Sequence, residues 1–498
     1  MDVTGLAPLL ALLTPVVGAA GVVMLRHRVP ARELCGIVAG LVQLGLIATL
    51  VPAVRDGGTV SVTLSTFLPE VSIALRADAL GVVLAGTAAI LWVLTTIYAM
   101  GYFGTTLDPK VTRFHACLCL TMAGTVGVAF SANLITLYLF YEAMTIITYP
   151  LVAHTGTPEA LRGGRRYLAY QLGAGIAFLL PAIVLTYVEA GTFDFVPGGI
   201  LDEGASSLLL VTIYVLYLLG IAKAALMPIH SWLPAAMVAP IPVSALLHAV
   251  AVVNVGVFCV MRVVLDVFGS DLTGNLGLGV LTLVATSVTI LIASLYALRL
   301  DNLKGILAYS TIGQLSYMML GVALLSPAGR TGAILHLVGH SFSKITLFFA
   351  VGSIYLATHR TLATELRGIG RRLPWTMAAF TIGALSIIGL PPTVGFVAKY
   401  FLFVGAVEAG QWAVLVVLSA STLLSAAYYL RLLRSALFDV PLAVTAGGAR
   451  ETTGLMRSPT ATERGALVVG PLLVTAVITV LLGVAPGWLL DLIRVVSE

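Results

Sequence analysis

The sequence predicts an all-α integral membrane protein with about 14 transmembrane helices. Hydrophobic residues make up 59% of the 498 residues, charged residues make up 10%, and the mean hydropathy is +1.05. A soluble domain carries about 25% charged residues. Two further observations support the prediction: apolar runs of membrane-spanning length recur along the chain, and basic residues concentrate in alternate loops.

The apolar runs define the individual spans, since one span needs about 20 mostly apolar residues. Fourteen runs meet this requirement, and an even number places both termini on one side of the membrane. The predicted spans are 4–25, 34–54, 79–100, 114–130, 132–153, 167–189, 208–227, 243–266, 276–298, 305–325, 331–357, 375–407, 412–434 and 467–490.

The basic residues assign a side to each loop, because cytoplasmic loops of membrane proteins are rich in Lys and Arg. Of the 27 basic residues, 19 fall in one set of loops and three in spans. The opposite loops hold only Arg55, Arg76, Arg262, Arg330 and Arg494. The bias predicts a bacterial or archaeal cytoplasmic membrane protein with both termini on the non-cytoplasmic side.

The polar segments add little chemistry. Residues 58–75 alternate like a short strand pair on the outer face, and residues 438–465 are predicted to form a cytoplasmic loop. The net charge of +5 does not indicate nucleic-acid binding, because the arginines are spread over short loops. The four cysteines lie in or beside apolar runs and indicate neither a disulfide framework nor a metal site. No stretch resembles a nucleotide, flavin or iron–sulfur motif, so we expect no cofactor.

Four charges lie inside apolar runs: Lys223, Lys344, Lys399 and Glu142. A Lys or Asp at the centre of a bilayer costs about 2.5–3.5 kcal/mol on insertion scales, and such residues usually serve ion or proton movement. Glu142 is the only one of the 22 acidic residues that the predicted spans place well inside the membrane. We expect Lys223 to be its partner in a pair that forms and breaks; the alternative is a static ion pair that locks two helices.

Two predicted spans are interrupted beside a lysine. Pro228 follows Lys223, and the run GLPPTVGFVAK ends on Lys399. Proline removes a helical hydrogen bond, and the freed backbone groups need protein or a water-filled cavity around them. Paired broken helices are the best sequence pointer to the ion path of a transporter. The alternative is that these prolines merely kink packed helices.

A third element carries His336, His340 and Lys344 at intervals of four residues, which places all three on one helix face. Two histidines at this spacing could bind a metal. The neighbouring lysine and the lack of a nearby carboxylate or cysteine favour a proton relay, because imidazole titrates near neutrality. His248 allows either a packing or a relay role, and Lys304 either reaches to the interface or lines a polar face.

The order of these features resembles the antiporter-like subunits shared by Mrp-type multisubunit cation/proton antiporters, respiratory complex I and membrane-bound hydrogenases. The stretches that carry the resemblance are FYEAMTIITYPLV, GIAKAALMPIHSWLPAAMVAPIPVSALLHAV, LKGILAYSTIGQLSYMMLG, LHLVGHSFSKITLFF and GLPPTVGFVAK. The resemblance implies two inverted five-helix repeats, each with a broken helix. The implied units are helices 1–3 in residues 1–109, a first repeat in 110–270, a second repeat in 271–436, and a cytoplasmic loop with helix 14 in 437–498.

The resemblance also implies residue roles. Glu142 matches the glutamate of the fifth span, Lys223 the lysine of the seventh, Lys344 the central lysine of the histidine-bearing helix and Lys399 the lysine of the second broken helix. Asn254 stands where several members carry a lysine, so the link between the two half-paths is left to His248, Lys304 or water.

The sequence therefore predicts a proton-translocating subunit, without a redox centre of its own, in a hetero-oligomeric membrane complex. The implied partners are other membrane subunits, lipid, protons, and Na⁺ or K⁺, with proton movement coupled to cation exchange. Alternatives are a proton-pumping subunit of a complex I-like NADH-quinone oxidoreductase or hydrogenase, and a scaffold with an inactive path. The residues expected to carry the protons are Glu142, Lys223, His248, Lys304, His336, His340, Lys344 and Lys399.

Overall fold

The computed structural model describes residues 3–68, 71–104, 106–439 and 463–497, and most of them are helical. The two strands are β1 Val60–Leu68 and β2 Val71–Ala77. The helices are α1 Val3–Met24, α2 Val29–Ala48, α3 Val51–Arg55, α4 Ala79–Phe103, α5 Pro109–Ala129, α6 Leu134–Val152, α7 Pro158–Ala174, α8 Leu180–Ala190, α9 Ser207–Gly220, α10 Trp232–Ala235, α11 Ile241–Ala245, α12 Val252–Arg262, α13 Gly269–Asn275, α14 Leu278–Arg299, α15 Leu303–Ala323, α16 Pro327–Thr358, α17 Pro374–Ile388, α18 Val394–Glu408, α19 Trp412–Leu437, α20 Ala466–Val484 and α21 Gly487–Ser497.

Twelve helical segments in the described ranges are long and apolar enough to cross a membrane. Two shorter apolar helices, α9 and α17, fall in the seventh and twelfth predicted spans. The prediction of an all-helical, multi-pass membrane protein is confirmed. The count of 14 and the inverted repeats stay predictions, because the two short helices reach span length only together with the broken segments that follow them.

The predicted strand pair is present as an antiparallel hairpin. Val60 pairs with Ala77, and Thr63 pairs with Ala74. The register shifts twice along β1, which bends the hairpin. β2 leads directly into α4 through Asp78, whose carboxylate accepts a hydrogen bond from the Gly81 amide at 2.9 Å. Asp78 is therefore the helix N-cap, as its position at the start of the third span suggests.

The centre of the molecule consists of two long helical segments, Ile241–Asn275 and α16, whose most apolar stretches are buried completely. α16 lies against α4, α15, α17, α18 and α20. Peripheral helices such as α1, α14 and α19 expose many apolar side chains, as expected for surfaces that face lipid or other subunits. A charge on α16 is thus far from solvent.

Both predicted breaks are present. α9 ends at Gly220, and a 3₁₀ turn at Ala222–Ala224 carries Lys223 before the chain turns through Ala225 at φ +53°. α17 ends at Ile388, the chain turns through Gly389 at φ +92°, and α18 begins at Val394. Each break interrupts a helix within the bundle and therefore leaves carbonyl groups of the preceding helix without intrahelical donors.

The helix that contains the eighth predicted span is longer than predicted. The span predicted at 243–266 extends over Ile241–Asn275, because π-helical turns at Leu246–Val250 and Val263–Phe268 continue the helix. Arg262, which we assigned to an outer loop, is only 3% exposed within it, and Asp266 is 7% exposed. Glu142 is therefore not the only acidic residue inside a span.

The remaining predictions of organisation are not tested by the fold. Most of the polar segment 438–465 lies outside the described residues, which stop at 439 and resume at 463. The four domain boundaries stay a prediction. The 32 residues of α16 exceed the predicted span 331–357 at both ends.

Candidate functional site

Lys223 is fully buried against α6. Its Nζ atom donates to the Tyr141 carbonyl at 2.9 Å and to the Thr145 hydroxyl at 2.6 Å. The same nitrogen lies 3.2 Å from the centroid of the Tyr141 ring, a cation–π contact in a site without water-exposed surface. The broken helix thus holds its lysine with dipoles and a π-system.

Glu142 does not form the expected direct ion pair with Lys223 in this structure. Ion pairs shorter than 4.0 Å in the described ranges do not include these two residues. Both carboxylate oxygens of Glu142 are buried and accept no hydrogen bond. Glu142 follows Tyr141 by one residue and therefore leaves the helix about 100° away from the Tyr141 side chain, which the Lys223 ammonium contacts.

The Glu142 carboxylate lies against Gly175, where α7 passes into the π-helical turn Gly175–Leu179. A side chain at Gly175 would overlap Glu142 Oε1. Glycine at position 175 therefore leaves the space that the carboxylate fills. The carboxylate stays close enough to Lys223 for the two charges to influence each other.

The histidine-bearing helix places its three polar residues in the core as predicted. Lys344 Nζ donates to the Leu307 carbonyl at 3.1 Å and to the Tyr429 hydroxyl at 3.4 Å. The His336 and His340 rings are 6.5 Å apart and nearly parallel. His336 Nε2 contacts Gln314 Oε1 at 2.9 Å, whereas neither ring nitrogen of His340 has a partner.

Lys399 is held at the second break. Its Nζ atom donates to the Ile388 carbonyl at 2.9 Å and to the Thr422 hydroxyl at 3.3 Å. Ile388 is the last residue of α17, where the helix dipole presents partial negative charge. The lysine chain also lies against Gly389, where a Cβ atom would come within 2.6 Å of its Cδ. Helix end and glycine together position the ammonium group.

Lys304 occupies the first turn of α15. Its Nζ atom donates to the Met237 carbonyl at 3.0 Å and to the Ala239 carbonyl at 2.6 Å. Both carbonyls belong to the segment that follows the first break, at the end of the 3₁₀ turn Ala236–Val238. Lys304 also lines a cavity of about 600 Å³. It therefore joins the first broken region to the second predicted repeat.

The four lysines share one chemical environment. Each donates to a backbone carbonyl oxygen, and in the described part of the chain none has a carboxylate within 4.0 Å. A buried ammonium without a counter-charge is costly, which favours release of its proton to a neighbour. Such sites can exchange a proton without separating an ion pair.

The histidines connect three of these lysines. His248 is acted on electrostatically by Lys344 and Lys304, His340 by Lys344, His336 and His248, and His336 by Lys399. Neither ring nitrogen of His248 has a hydrogen-bond partner. A series of titratable groups within electrostatic reach of one another therefore runs from Lys304 to Lys399, and in the described ranges no direct hydrogen bond joins its members.

The first lysine stands apart from this series. In the described ranges, the groups that act electrostatically on Lys223 are Glu142 and Cys259. Asn254, on the helix segment packed against Lys223, donates its amide to the Ala249 carbonyl at 2.8 Å and to the Ser341 hydroxyl at 2.7 Å. The structure thus brings six of the predicted site residues into one series and leaves the other two, Lys223 and Glu142, as a separate pair in which Glu142 accepts no hydrogen bond.

Sequence reasoning missed a buried charge cluster. Arg262 donates to Asp78 at 2.7 Å and to Asp266 at 2.8 Å. Burial raises the pKa of Asp78, but the Arg262 guanidinium, the Gly81 amide and the charge of Arg76 together leave this pKa below its usual range. The i, i+4 spacing of Arg262 and Asp266 was a sequence signal for half of this cluster. The other half, Asp78, could not be predicted because it is distant in sequence from Arg262. Tyr141, Thr145 and Gln314 were also missed as partners of the titratable groups.

Metal binding finds no support in the described ranges, where no group of three or more His, Cys, Asp or Glu residues is close enough to hold an ion. Cys35, Cys117, Cys119 and Cys259 are all free thiols. Neither the predicted relay nor the metal alternative for His336 and His340 is decided by this observation. The chemistry available at the site is proton exchange among amines, imidazoles and one carboxylate.

A multi-pass bundle with two broken helices and a buried lysine–histidine series defines an antiporter-like membrane subunit. Residues 131–425, more than half of the chain, match the family described as "NADH:quinone oxidoreductase/Mrp antiporter, TM". The chain belongs to this family.

Curated relatives come from both branches of the family. The chain is 33% identical over 363 residues to NADH-quinone oxidoreductase subunit N of Desulforudis audaxviator, covering 71% of each chain. It is 29% identical over 481 residues to the A/B subunit of a probable K(+)/H(+) antiporter of Rhizobium meliloti, covering 91% of this chain and 47% of the relative. The chain therefore spans about half the length of some curated relatives.

Solved structures show the same fold. The chain is similar to a chain of the Mrp complex from Dietzia sp. DQ12-45-1b, with a TM-score of 0.87, 22% identity, and coverage of 100% of this chain and 97% of that one. A chain of the archaeal membrane-bound sulfane sulfur reductase gives a TM-score of 0.83 and 23% identity, with 98% and 96% coverage.

Proposed function

We propose that this chain carries protons across the membrane as one subunit of a multisubunit complex, with proton movement coupled to exchange of Na⁺ or K⁺. The observation that supports the proposal most directly is the set of four lysines, three of them buried and Lys304 partly exposed, each bound to a carbonyl oxygen and none paired with a carboxylate in the described residues. Charged side chains inside a membrane pair with one another or with backbone carbonyls, and they mark ion and proton pathways. Lysines held by dipoles alone suit repeated protonation and release.

In the proposed mechanism, Glu142 controls the first proton site. When the Lys223 side chain turns from the Tyr141 carbonyl toward Glu142, the carboxylate stabilises the ammonium form; when it turns back, the proton leaves Nζ. A change of one pKa unit corresponds to about 1.36 kcal/mol, and moving one charge across 100 mV involves about 2.3 kcal/mol. A change of about two units in the pKa of the proton-carrying group, about 2.7 kcal/mol, therefore exceeds the energy of moving one charge across 100 mV.

The central series then carries the proton. We propose transfer through His248, Lys304 and Lys344 to His340 and His336, with Lys399 exchanging the proton with the far side of the membrane. Each imidazole accepts at one ring nitrogen and donates from the other, which suits the unpartnered nitrogens of His248 and His340. The Asn254 amide cannot take up and release a proton, so a proton that moves from Lys223 to His248 has to pass around it.

The driving step belongs to other subunits, because the residues described here supply acid–base groups only. Similarity to the A/B subunit of the Rhizobium antiporter and to the Mrp complex favours cation exchange as that step. Similarity to NADH-quinone oxidoreductase subunit N favours a second candidate, a pump subunit of a redox complex. We further propose a bacterial or archaeal cytoplasmic membrane, both termini outside, and the four units bounded at residues 109, 270 and 436.

Vesicles that contain the assembled complex distinguish the two candidates. A pH gradient that forms on adding Na⁺ or K⁺, without an electron donor, is the result expected for the antiporter. Proton movement that appears only on oxidation of NADH, ferredoxin, formate or hydrogen would instead assign the chain to a redox complex.

Two substitutions test the first proton site. We expect Lys223→Ala and Glu142→Ala each to abolish coupled transport while the complex still assembles, because each removes a titratable group and leaves the helices in place. Arg372→Gln, which removes an exposed charge outside the bundle, is the matched control. Transport at the wild-type rate in both assembled site variants contradicts the proposed mechanism.

A further inference from the structure

The cavity beside Lys304 has a chemistry that the proton series does not use. It encloses about 600 Å³ where the ends of α4, α6 and α16 meet the starts of α5 and α15. Three cationic side chains line it, Lys110, Lys304 and Arg360, and no acidic residue among the described ones does so. All three belong to the arginine-rich set of loops.

The nearest acids do not neutralise this cavity. Asp108 accepts a hydrogen bond from the Lys110 backbone amide at 2.8 Å. Glu365 accepts from the amides of Thr361 and Leu362 at 3.1 and 3.0 Å. Neither carboxylate forms an ion pair within 4.0 Å with Lys110, Lys304 or Arg360, so three cationic side chains line the cavity against two acids beside it, and an added anion is still attracted.

Two helix N-termini add to this attraction. Lys110 lies in the first turn of α5 and Lys304 in the first turn of α15, both helices of 21 residues. The N-terminus of a helix offers free amides and partial positive charge to an anion. The cationic side chains and the helix ends thus favour the same kind of ligand.

A buried histidine supplies an independent sign of a ligand. His154 lines the cavity, is 6% exposed, and its buried Nδ1 atom has no hydrogen-bond partner. Burial, followed by the charge of Arg113, lowers the pKa of His154 to about 4. A neutral imidazole with a free ring nitrogen beside three cations suits a site that a phosphate oxygen would complete.

The rest of the wall is apolar and aromatic. Tyr102, Phe103, Ile241, Val351 and Tyr355 line the cavity, which suits a hydrocarbon chain better than a free ion. Val238, 39% exposed, provides an apolar rim. Basic pockets between transmembrane helices on the cytoplasmic side bind anionic lipid headgroups.

We propose that this cavity, lined by Lys110, Lys304, Arg360 and His154, binds the phosphate headgroup of an anionic phospholipid, with an acyl chain running along the aromatic wall past Val238. The site goes beyond the proposed function, since lipid binding needs no proton movement. It also has a consequence for that function. A lipid phosphate beside Lys304 stabilises its ammonium form and so connects lipid composition to the proton series.

The test measures lipid retention by the full-length chain in native mass spectrometry after delipidation, with phosphatidylglycerol, phosphatidylcholine or inorganic phosphate added. We expect phosphatidylglycerol to be retained and phosphatidylcholine to be lost. A basic residue near a membrane surface strengthens anionic lipid binding roughly fivefold, so Lys110→Gln with Arg360→Gln should weaken retention roughly twenty-fold. Arg371→Gln with Arg372→Gln removes the same charge elsewhere and should have no effect.

A second variant guards against misfolding of the first. Thr361→Glu places a carboxylate at the exposed edge of the cavity and should abolish retention while the thermal midpoint of the protein stays unchanged. Equal loss in the control pair, equal retention of phosphatidylcholine, or unchanged retention in the cavity variants would each overturn the proposal. Binding of inorganic phosphate that displaces the lipid would overturn the lipid as the ligand.

Discussion

At the scale of single residues, backbone carbonyl oxygens bind the buried lysines, and at Lys223 a carbonyl takes the place of the Glu142 carboxylate that we expected. The sequence identified Lys223, Lys344 and Lys399 as buried cations, since charge inside an apolar run is visible without a structure. It did not identify their acceptors, because the Tyr141, Leu307 and Ile388 carbonyls approach only through tertiary packing. The Glu142–Lys223 pair stays a prediction: it is open in this structure, and the orientation of each side chain around its helix decides whether it forms.

The ring of Tyr141 gives a first prediction. We expect Tyr141→Leu to slow coupled transport, because a desolvated cation–π contact contributes about 2 kcal/mol and its loss corresponds to roughly thirtyfold in rate. Tyr141→Phe keeps the ring and should lie close to wild type. Initial rates of proton flux in vesicles measure both. Equal losses in the two variants would assign the effect to the hydroxyl group, which accepts a hydrogen bond from the Lys223 amide.

The link between the half-paths gives a second prediction. His248→Phe should abolish transport with little effect on stability, because neither ring nitrogen has a partner to lose and the ring already lies 5.0 Å from Phe348. Asn254→Ala should retain most of the transport. Flux and thermal midpoint are measured for both variants. A loss confined to the Asn254 variant would place the amide, and not the imidazole, in the path.

His154 gives a prediction about pH. Its pKa in the folded protein is lowered from 6.5 to about 4 by burial and by Arg113, so the unfolded chain binds more protons between these values. The histidine therefore contributes its full stability above pH 6.5, and that contribution is lost as the pH falls toward 4. As the pH falls through this window, the thermal midpoint of wild type should therefore fall further than that of His154→Gln. Midpoints with the same pH dependence would show that His154 is not held neutral.

At the scale of elements, the breaks and the hairpin were predictable and one long span was not. Proline and glycine act locally, so the breaks at Lys223 and Gly389 were visible in the sequence. The π-helical turn Val263–Phe268 extends the helix through Arg262 and Asp266, and their buried pairing with Asp78 stabilises a segment that reads as a loop end. Local patterns therefore predicted where helices stop better than where they continue.

Close packing at the first break gives a prediction for an element. A side chain at Gly256 would overlap the backbone of Lys223 and Ala224, whereas a side chain at Gly313 would make only ordinary contacts beyond 3.8 Å. Gly256→Ala should destabilise the protein by on the order of 1–3 kcal/mol and lower transport. Gly313→Ala should be neutral or stabilising by up to about 1 kcal/mol. Denaturation midpoints that fall equally in both would show that the break tolerates displacement.

At the scale of the whole molecule, two central helical segments with completely buried apolar stretches, Ile241–Asn275 and α16, bring the histidines together while peripheral helices face outward. The resemblance read from five sequence stretches predicted this family, and the match over residues 131–425 confirms it. The identity of the coupled cation depends on partner subunits and so could not be read from this chain.

The central claim is that the buried lysine–histidine series is the route of the protons, and Lys344 lies at its middle. The most direct measurement is proton flux through the assembled complex in vesicles with Lys344→Gln, compared with Arg372→Gln as an exposed control. Gln keeps a group able to bond the Leu307 carbonyl but cannot carry a proton. We predict flux at the level of protein-free vesicles in the first variant and wild-type flux in the second. Wild-type flux with Lys344→Gln, in a complex of normal subunit composition, would contradict the account.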